Sequence, residues 1–368
     1  MEIGIIGLGQ SGKTTAFNAL TRGHTSLVSS PAGGRLSHSN IGVAKVPDER
    51  LDRLAGIFEP ERTVPAEVTY VDVPAAAEGR GKREGIGGAV LNSLQRADAL
   101  LHVVRAFTDA SVPHVDGSVD PYRDIDSMDL ELTFSDLAII ERRLQRLEAE
   151  LKGAKPAQRD AAHREQTLLD RVRSRLDAGT PVRGHGLLPE ELGLLTGYQF
   201  LTAKPLVVAL NIGEEQLPQA SALEHDLAAR LDGPGVLGAV LCGKLEAELT
   251  QMDDQDEREF RESMGAGEAA LARIARVSFR VLDMVSFFTV VSNEVRAWTV
   301  PLDTPALKAA GRIHTDMERG FVRAEVVGFD NLSTSGSMAE AKKRGLLRVE
   351  GKTYPVQDGD VIHFLFNV

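Results

Sequence analysis

The glycine-rich loop near the start of the chain holds the residues whose types and spacing best suit chemistry. Its sequence, Gly7-Leu8-Gly9-Gln10-Ser11-Gly12-Lys13-Thr14, fits G-x-x-x-x-G-K-[ST] at every fixed position. Glycines let a backbone curl around phosphate groups, so that its N–H groups can donate to them. We therefore predict a triphosphate site in which Lys13 reaches the β- and γ-phosphates and the Thr14 hydroxyl binds Mg²⁺. The other predicted nucleotide contacts in this segment are Gly9, Gln10, Ser11, Gly12 and Thr15.

The segments on either side of this loop support the prediction. Residues 1–6 are rich in isoleucine, which indicates a short buried strand, and residues 15–21 are typical of a helix. A helix that begins at the loop adds unpaired N–H groups and the positive end of its dipole. The alternative is a glycine-rich turn with an incidental lysine, and the strand and helix disfavour it.

Asp72 stands near the end of another predicted strand, residues 67–73. An acidic side chain at the carboxyl end of a parallel strand beside a phosphate loop is well placed to hold Mg²⁺. We assign Asp72 to Mg²⁺ through a water molecule. The alternative is a strand-end aspartate that caps a turn.

Two later predicted strands end in residues suited to hold a base. Residues 206–210 lead into Asn211-Ile212-Gly213-Glu214, and residues 236–241 lead into Cys242-Gly243-Lys244. An asparagine followed by a carboxylate three residues on resembles the base-recognition loop of G-domain proteins, where the carboxylate accepts hydrogen bonds from the base. Gly213 and Glu214 stand where that loop has lysine and aspartate. The predicted contacts on the base side are Asn211, Glu214, Gly243 and Lys244.

The composition bounds the class of protein. The chain has 368 residues, enough for two or three domains. Its one cysteine, Cys242, excludes a disulfide framework and a cysteine metal cluster, and it indicates a reducing, cytosolic compartment. We find no signal peptide and no apolar run long enough to span a membrane. The net charge of −11 argues against a broad nucleic-acid coat, although it is compatible with a local basic patch.

Two further regions differ in pattern from the nucleotide-binding part. Leucine and isoleucine recur at spacings of three and four in residues 137–151, and a second helical pattern follows in residues 168–176. With the break at residues 153–156, this predicts a helical hairpin, which serves either as a packing element with solvated charges or as an interaction arm. From about residue 281 onward, short strands, turns and one helix predict a small α+β module.

Several longer strings in the sequence are specific. They include Phe17-Asn18-Ala19-Leu20-Thr21, Asn40-Ile41-Gly42-Val43, Lys82-Arg83-Glu84-Gly85-Ile86-Gly87, His102-Val103-Val104-Arg105, His114-Val115-Asp116-Gly117, Glu294-Val295-Arg296-Ala297-Trp298-Thr299 and Gln357-Asp358-Gly359-Asp360-Val361-Ile362-His363-Phe364. On these strings the chain resembles the YchF/Obg-like ATPases, a branch of the translation-factor-class P-loop GTPases, over nearly its whole length.

The resemblance implies an α/β fold with three parts. These are a Ras-like P-loop NTPase domain with a mostly parallel sheet (residues 1–125 and 195–280), an inserted helical coiled-coil hairpin (residues 126–194) and a C-terminal β-grasp, or TGS, domain (residues 281–368). It implies hydrolysis of ATP or GTP with Mg²⁺, often with ATP preferred, by a cytoplasmic regulator of translation or stress response. The implied partners are the nucleotide and a ribosome or RNA bound through the TGS and helical domains, with no membrane.

The resemblance also assigns a role to His114. The family lacks the glutamine that positions water in Ras-like proteins, and a histidine after the fourth strand is its proposed catalytic group. His114 takes that place here, and Lys13 is the second predicted catalytic residue. A loop after a parallel strand suits a group that orients water. The alternative is a surface-loop histidine.

The chain departs from the family pattern in the phosphate loop and the switches. Gln10-Ser11 replaces Asn-Val, at a position that helps to bind a monovalent cation in related proteins. Leu36 stands in the place of the switch-I threonine, with Ser37 beside it, and Asp-x-x-Gly reads Asp72-Val73-Pro74-Ala75, followed by Ala76. Because leucine cannot ligate Mg²⁺ and proline stiffens the backbone, we expect slow hydrolysis. The alternative is a nucleotide-binding regulatory module with little or no hydrolysis.

Overall fold

The computed structural model describes residues 1–22, 25–28, 39–73, 86, 88–153, 155–231, 233–291 and 293–367. The chain divides into two compact units, each built from two separate stretches of sequence. The first unit comprises Met1–Ala44 and Thr69–Val277, and the second comprises Lys45–Val68 and Ser278–Val368.

Strands and helices alternate along most of the chain. The strands are β1 Glu2–Ile6, β2 Thr25–Val28, β3 Ser39–Lys45, β4 Arg62–Val64, β5 Glu67–Asp72, β6 Ala99–Arg105, β7 Leu206–Asn211, β8 Val236–Leu241, β9 Met284–Val291, β10 Glu294–Pro301, β11 Phe321–Gly328, β12 Arg348–Glu350 and β13 Asp360–Phe366. The α-helices are α1 Lys13–Thr21, α2 Glu49–Phe58, α3 Gly88–Arg96, α4 Pro121–Gly153, α5 Pro156–Asp177, α6 Pro189–Leu195, α7 Ala220–Arg230, α8 Gly243–Leu249, α9 Asp254–Met264, α10 Ala270–Val281, α11 Ala306–Ile313, α12 Thr315–Arg319, α13 Phe329–Ser335 and α14 Met338–Lys343. Short 3₁₀ turns lie at Val182–Gly184, Thr196–Tyr198, Leu201–Ala203 and Glu214–Gln219.

The first unit is organised around a seven-stranded sheet with the order β2-β3-β5-β1-β6-β7-β8. β5, β1, β6, β7 and β8 pair in parallel with one another in this order, whereas β2 and β3 are antiparallel to each other. Every residue of β6 and β7 is buried, as expected for central strands whose two faces are both covered. The predicted α/β class with a mostly parallel sheet is confirmed. β1 lies between β5 and β6, so the loop after it opens at the carboxyl edge of the sheet, where such folds bind ligands.

The helical hairpin consists of α4 and α5. α4 ends at Gly153 and α5 begins at Pro156, at the break that the sequence predicts. The two helices pack through buried residues at helical spacing, namely Ile140, Leu144, Leu147, Leu169 and Val172. The first turns of α4 instead join the hydrophobic core of the sheet through Ile125, Met128 and Leu132. α4 is therefore shared by the hairpin and the core of the sheet. None of the helices in the described part of the chain is long and apolar enough to cross a membrane.

The second unit is organised around a six-stranded mixed sheet with the order β12-β11-β13-β9-β10-β4. β9 and β10 form an antiparallel hairpin, and β13 runs parallel to β9 in the middle of the sheet. α11 packs against this sheet through Ala306, Ala309 and Ala310, in a core that includes Phe287 and Phe364. A hairpin, a crossing helix and a central parallel strand make up the β-grasp arrangement that the family resemblance implies.

Residues 45–68 differ from the predicted division, which placed them in the nucleotide-binding domain. In the structure they belong to the second unit, because β4 pairs in parallel with β10. The Arg50 guanidinium also donates to Asp358 at 2.7 Å, and Arg53 donates to the Ser333 hydroxyl at 2.5 Å. A strand pair between segments so far apart in sequence leaves no local pattern from which to predict it.

Candidate nucleotide-binding site

The glycine-rich loop connects β1 to α1 and depends on two of its glycines. A Cβ atom at Gly7 would lie 2.4 Å from the Val103 carbonyl oxygen, and one at Gly12 would lie 2.3 Å from Asn211 Nδ2. Gly12 has a φ of 88° and precedes α1 without providing a side-chain cap. The first N–H groups of α1 are therefore left to face a ligand, as in helix N-termini that bind phosphate.

The Lys13 side chain lies across this loop. Its Nζ atom donates to the Gly7 carbonyl at 2.9 Å and to the Leu8 carbonyl at 3.2 Å. Burial lowers the pKa of Lys13, while the charge of Asp72 acts in the opposite direction. The loop thus holds a cation at the place where the sequence predicts the phosphates.

Thr14 and Asp72 meet beside Lys13. The Thr14 hydroxyl lies 3.3 Å from Asp72 Oδ2, and β5 places Asp72 in register with Ile5 of β1. Burial raises the pKa of Asp72, whereas the hydrogen bond from Thr14 and the charge of Lys13 lower it. A hydroxyl and a carboxylate side by side form an oxygen donor set of the kind that Mg²⁺ prefers.

The remaining predicted phosphate-side residues lie in the same loop or just after it. Gln10 is exposed and has a φ of 61°, and Ser11 is buried. Gly9 is half-buried in the loop, and Thr15 is half-buried in the first turn of α1.

Asn211 connects three segments of the site. Its Nδ2 group donates to the Ser11 carbonyl at 3.0 Å, and its Oδ1 atom accepts from the Gly243 N–H at 2.9 Å. These bonds join the glycine-rich loop, the end of β7 and the start of α8. Asn211 is thereby fixed at the edge of the site, and the second hydrogen of its amide is not used in these two bonds.

Glu214 and Lys244 form an ion pair across the base-side loops. Their Oε1 and Nζ atoms are 2.9 Å apart, and this hydrogen bond raises the pKa of Lys244. The structure thus brings together the two loops that the sequence analysis treats separately. The pairing itself was not predicted, although a glutamate and a lysine at the ends of adjacent parallel strands could have suggested it.

His114 lies in the loop between β6 and α4 with both ring nitrogens engaged. Its Nε2 atom is 2.8 Å from Asp124 Oδ2, and its Nδ1 atom accepts from the Asp116 N–H at 3.1 Å. These contacts fix the neutral tautomer with the proton on Nε2. The side chains of His114 and Asp124 are only 4% and 3% exposed. The imidazole of His114 is therefore buried, unlike the surface histidine of the alternative interpretation.

The loop of His114 touches the glycine-rich loop through a neighbouring residue. A Cβ atom at Gly9 would lie 3.5 Å from the Val115 side chain. Arg105, buried at the end of β6, supports the start of the loop by donating to the Phe107 carbonyl at 3.2 Å and the Val112 carbonyl at 2.7 Å. The roles of Arg105 and Asp124 were not predicted from the sequence. A charged residue within or next to an apolar run is the signal that could have indicated them.

The switch residues of the sequence analysis, Leu36, Ser37, Pro74, Ala75 and Ala76, lie outside the described residues. The expectations attached to them stay predictions. The described geometry nevertheless defines the class of protein. The mostly parallel, Ras-like sheet, the glycine-rich loop with its lysine and the strand-end aspartate are those of a P-loop nucleotide-binding protein.

Comparison with known proteins identifies the family within this class. A family model described as "50S ribosome-binding GTPase" matches residues 2–133, and the model YchF-GTPase_C, described as "Protein of unknown function (DUF933)", matches residues 284–367. The chain is 36% identical over 370 residues to "Ribosome-binding ATPase YchF" of Bacillus subtilis, covering 100% of both proteins. It is 38% identical over 367 residues to the protein of that name from Pasteurella multocida, covering 100% of this chain and 99% of that one. This chain belongs to the YchF family.

Two solved structures share the fold of this chain. The YchF GTPase of Schizosaccharomyces pombe is 28% identical and superimposes with a TM-score of 0.82, covering 99% of this chain and 97% of that chain. A GTP binding protein from Pyrococcus horikoshii, at 19% identity and a TM-score of 0.56, shares the fold over 100% of both chains.

Proposed function

We propose that this protein is a Mg²⁺-dependent nucleoside triphosphatase that hydrolyses ATP, accepts GTP, and associates with ribosomes in the cytoplasm. The observation that carries the proposal is the convergence of Lys13, Thr14 and Asp72 at the start of α1. The names of the full-length relatives, ribosome-binding ATPases, support the nucleotide and the partner.

Binding of the phosphates follows from the loop geometry. The N–H groups at the start of α1 donate to phosphate oxygens, and the Lys13 ammonium exchanges its loop carbonyls for the β- and γ-phosphates. Thr14 and, through water, Asp72 would hold Mg²⁺, which when bound neutralises charge on the phosphates. Catalysis of this kind consists mainly of positioning and charge stabilisation by groups already in place.

The hydrolytic water needs a group to orient it, and His114 is our candidate. In the described arrangement its Nε2–H donates to Asp124 and its Nδ1 lone pair accepts from Asp116. No nitrogen is left to accept a proton from water. The proposal therefore requires the ring to leave both Asp124 and the Asp116 N–H when the triphosphate is bound, which frees the Nδ1 lone pair.

The base side of the site favours ATP at least as much as GTP. Guanine offers its N1–H and N2–H₂ groups to a carboxylate, whereas adenine lacks both donors. The Glu214 carboxylate is shared with the Lys244 ammonium, which weakens it as an acceptor for guanine. ATP therefore loses little binding free energy at this position, because adenine has no donors for the carboxylate to accept.

Titration of labelled ATP and GTP, followed by single-turnover hydrolysis on the same sample, tests the proposal. We expect ATP to bind at least as tightly as GTP and to be hydrolysed slowly, with both activities lost when Mg²⁺ is removed. Lys13→Ala should lose tight triphosphate binding while its thermal unfolding stays close to wild type. Binding without turnover would instead support a regulatory module, and unchanged binding by Lys13→Ala would refute the site.

A further inference from the structure

α4 carries an open groove on the side away from the sheet core. The groove encloses about 550 Å³ between α4 and the end of α5. It is defined here as the acidic groove, lined by Asp126, Asp129, Leu130, Phe134, Glu141 and Asp177. All of these residues belong to the first unit.

Apolar and acidic residues of the acidic groove lie along one face of α4. Asp126, Leu130, Phe134 and Glu141 recur at spacings that keep them on one side of α4. The apolar residues occupy the middle, and carboxylates stand at both ends, about 22 Å apart at 1.5 Å per residue. Leu130 is 54% exposed and lies one helical turn before the half-buried Phe134, so the two side chains form an apolar surface that a partner can cover.

The charge of the groove is largely uncompensated. Within the described ranges, Arg183 is the cation nearest to a groove carboxylate, with its Nη2 atom 3.9 Å from Asp129. No ion pair joins Asp126, Glu141 or Asp177 to another described residue. Three carboxylates that have no ion pair among the described residues repel the phosphates of RNA and attract cationic side chains.

We propose that the acidic groove is a docking surface for a lysine- and arginine-rich amphipathic helix of a protein partner. The apolar side chains of such a helix would cover Leu130 and Phe134, and its cations would meet the carboxylates at the two ends. The assignment of this helix to a ribosomal protein rests on the proposed association with ribosomes. It makes the helical hairpin an interaction arm that contacts protein and not RNA at this face.

The first test uses a labelled 18-residue amphipathic peptide of leucine and lysine, with a leucine–glutamate peptide as its counterpart. Fluorescence anisotropy with the full-length protein should show binding of the lysine peptide alone. The double variant Asp126→Lys/Glu141→Lys should lower the affinity at least about tenfold, because two charges of the site are reversed. The double variant Glu259→Lys/Glu262→Lys makes the same change on exposed residues of α9 and should alter the affinity less than about twofold.

A matched pair tests the apolar part. Leu130→Ser should lower the affinity for the lysine peptide several-fold. Leu192→Ser, at a similarly exposed leucine of α6, should leave that affinity unchanged. Equal losses in the groove variants and their controls would show that only bulk charge or general apolarity matters, and would overturn the proposal.

The second test repeats the comparison with purified ribosomes by co-sedimentation. Loss of binding in Asp126→Lys/Glu141→Lys, but not in Glu259→Lys/Glu262→Lys, would support a ribosomal protein as the partner. Tighter binding by the groove variant would indicate that this face meets RNA phosphates, and would overturn the proposal. If wild type fails to bind ribosomes while the peptide results hold, the docking surface stands and the proposed ribosome association fails.

Discussion

At the residue scale, the hydrogen bonds of His114 determine whether its imidazole can accept a proton. A histidine that donates through Nε2 and accepts through Nδ1 has no lone pair left for a proton. The carboxylate of Asp124 is itself held by Arg123, whose Nη2 atom donates to Oδ1 at 2.9 Å. The arrangement therefore holds the ring against the start of α4 with both of its nitrogens engaged, in a loop that touches the phosphate loop through Val115.

This arrangement gives opposite predictions for two variants. We expect His114→Ala to lower the single-turnover hydrolysis rate about a hundredfold or more, from the lower end of the usual range for an acid–base group upward. Asp124→Asn should raise the rate, because a neutral amide holds the ring less strongly. The affinity for a non-hydrolysable ATP analogue should change little in either. A rate that is the same in His114→Ala as in wild type would leave His114 with a structural role in the loop.

The Glu214–Lys244 pair gives a second prediction at this scale. Lys244→Ala removes the cation that shares the Glu214 carboxylate, so the carboxylate becomes a better acceptor for guanine. We expect the ratio of GTP to ATP affinity to rise about threefold to tenfold, as for one recovered hydrogen bond of ordinary net strength, ~1 kcal/mol. Glu214→Asp should shift the preference in the same direction. Competitive titration of the two nucleotides measures the ratio, and a ratio that does not move excludes the pair as a selectivity determinant.

At the scale of elements, Asp136 joins α4 to the segment before β7 through hydrogen bonds. It is fully buried, and its carboxylate accepts from the Leu201 N–H, the Thr202 N–H and the Thr202 hydroxyl, all within 2.8 Å. Asp136→Ala leaves these buried donors without their acceptor. We expect it to lower the free energy of unfolding by about 3 kcal/mol, against a small change for Asp160→Ala on the exposed face of α5. Urea unfolding of the two variants makes the comparison.

The same residue predicts a pH dependence. Burial raises the pKa of Asp136 to about 6 from 3.8. Between these pH values the folded chain holds a proton that the unfolded chain has lost, so the contribution of Asp136 to stability falls as the pH rises through this range. An asparagine at this position does not titrate, and therefore the stability of wild type relative to Asp136→Asn should fall between about pH 4 and pH 7. A constant difference across that range would show that Asp136 keeps its ordinary pKa.

Local sequence patterns predicted the elements whose conformation depends mainly on neighbouring residues in the chain. The glycine-rich loop between β1 and α1, the strand of Asp72 and the break at Gly153 follow from spacing and turn residues. The His114–Asp124 contact and the pairing of β4 with β10 do not, because partners are chosen by tertiary packing and not by propensity. The Glu214–Lys244 pair is of the same kind, since strand order in the sheet brings its two loops together.

At the scale of the whole molecule, the chain leaves the first unit after Ala44 and returns at Thr69. β5, which ends in Asp72, therefore follows directly on a segment of the second unit. Family membership extends over both units, since full-length relatives match the entire chain. A conformational cycle driven by hydrolysis, however, depends on the difference between the protein's affinities for the triphosphate and the diphosphate.

That difference is expected to be small in this chain. A nucleotide shifts a conformational equilibrium only by its differential affinity for the two conformations. The ordinary cycle uses a switch-I threonine that ligates Mg²⁺ and a glycine amide that meets the γ-phosphate, and the sequence has Leu36 and Pro74-Ala75 in those places. We therefore predict that a non-hydrolysable ATP analogue and ADP bind with affinities within about threefold, a difference below ~1 kcal/mol that cannot drive a large switch. Leu36→Thr should widen the ratio by restoring a ligand to Mg²⁺, whereas Leu36→Val, of similar shape without the hydroxyl, should not. A wild-type ratio above about a hundredfold, ~3 kcal/mol, would show that other residues sense the γ-phosphate and that the switch works without the threonine.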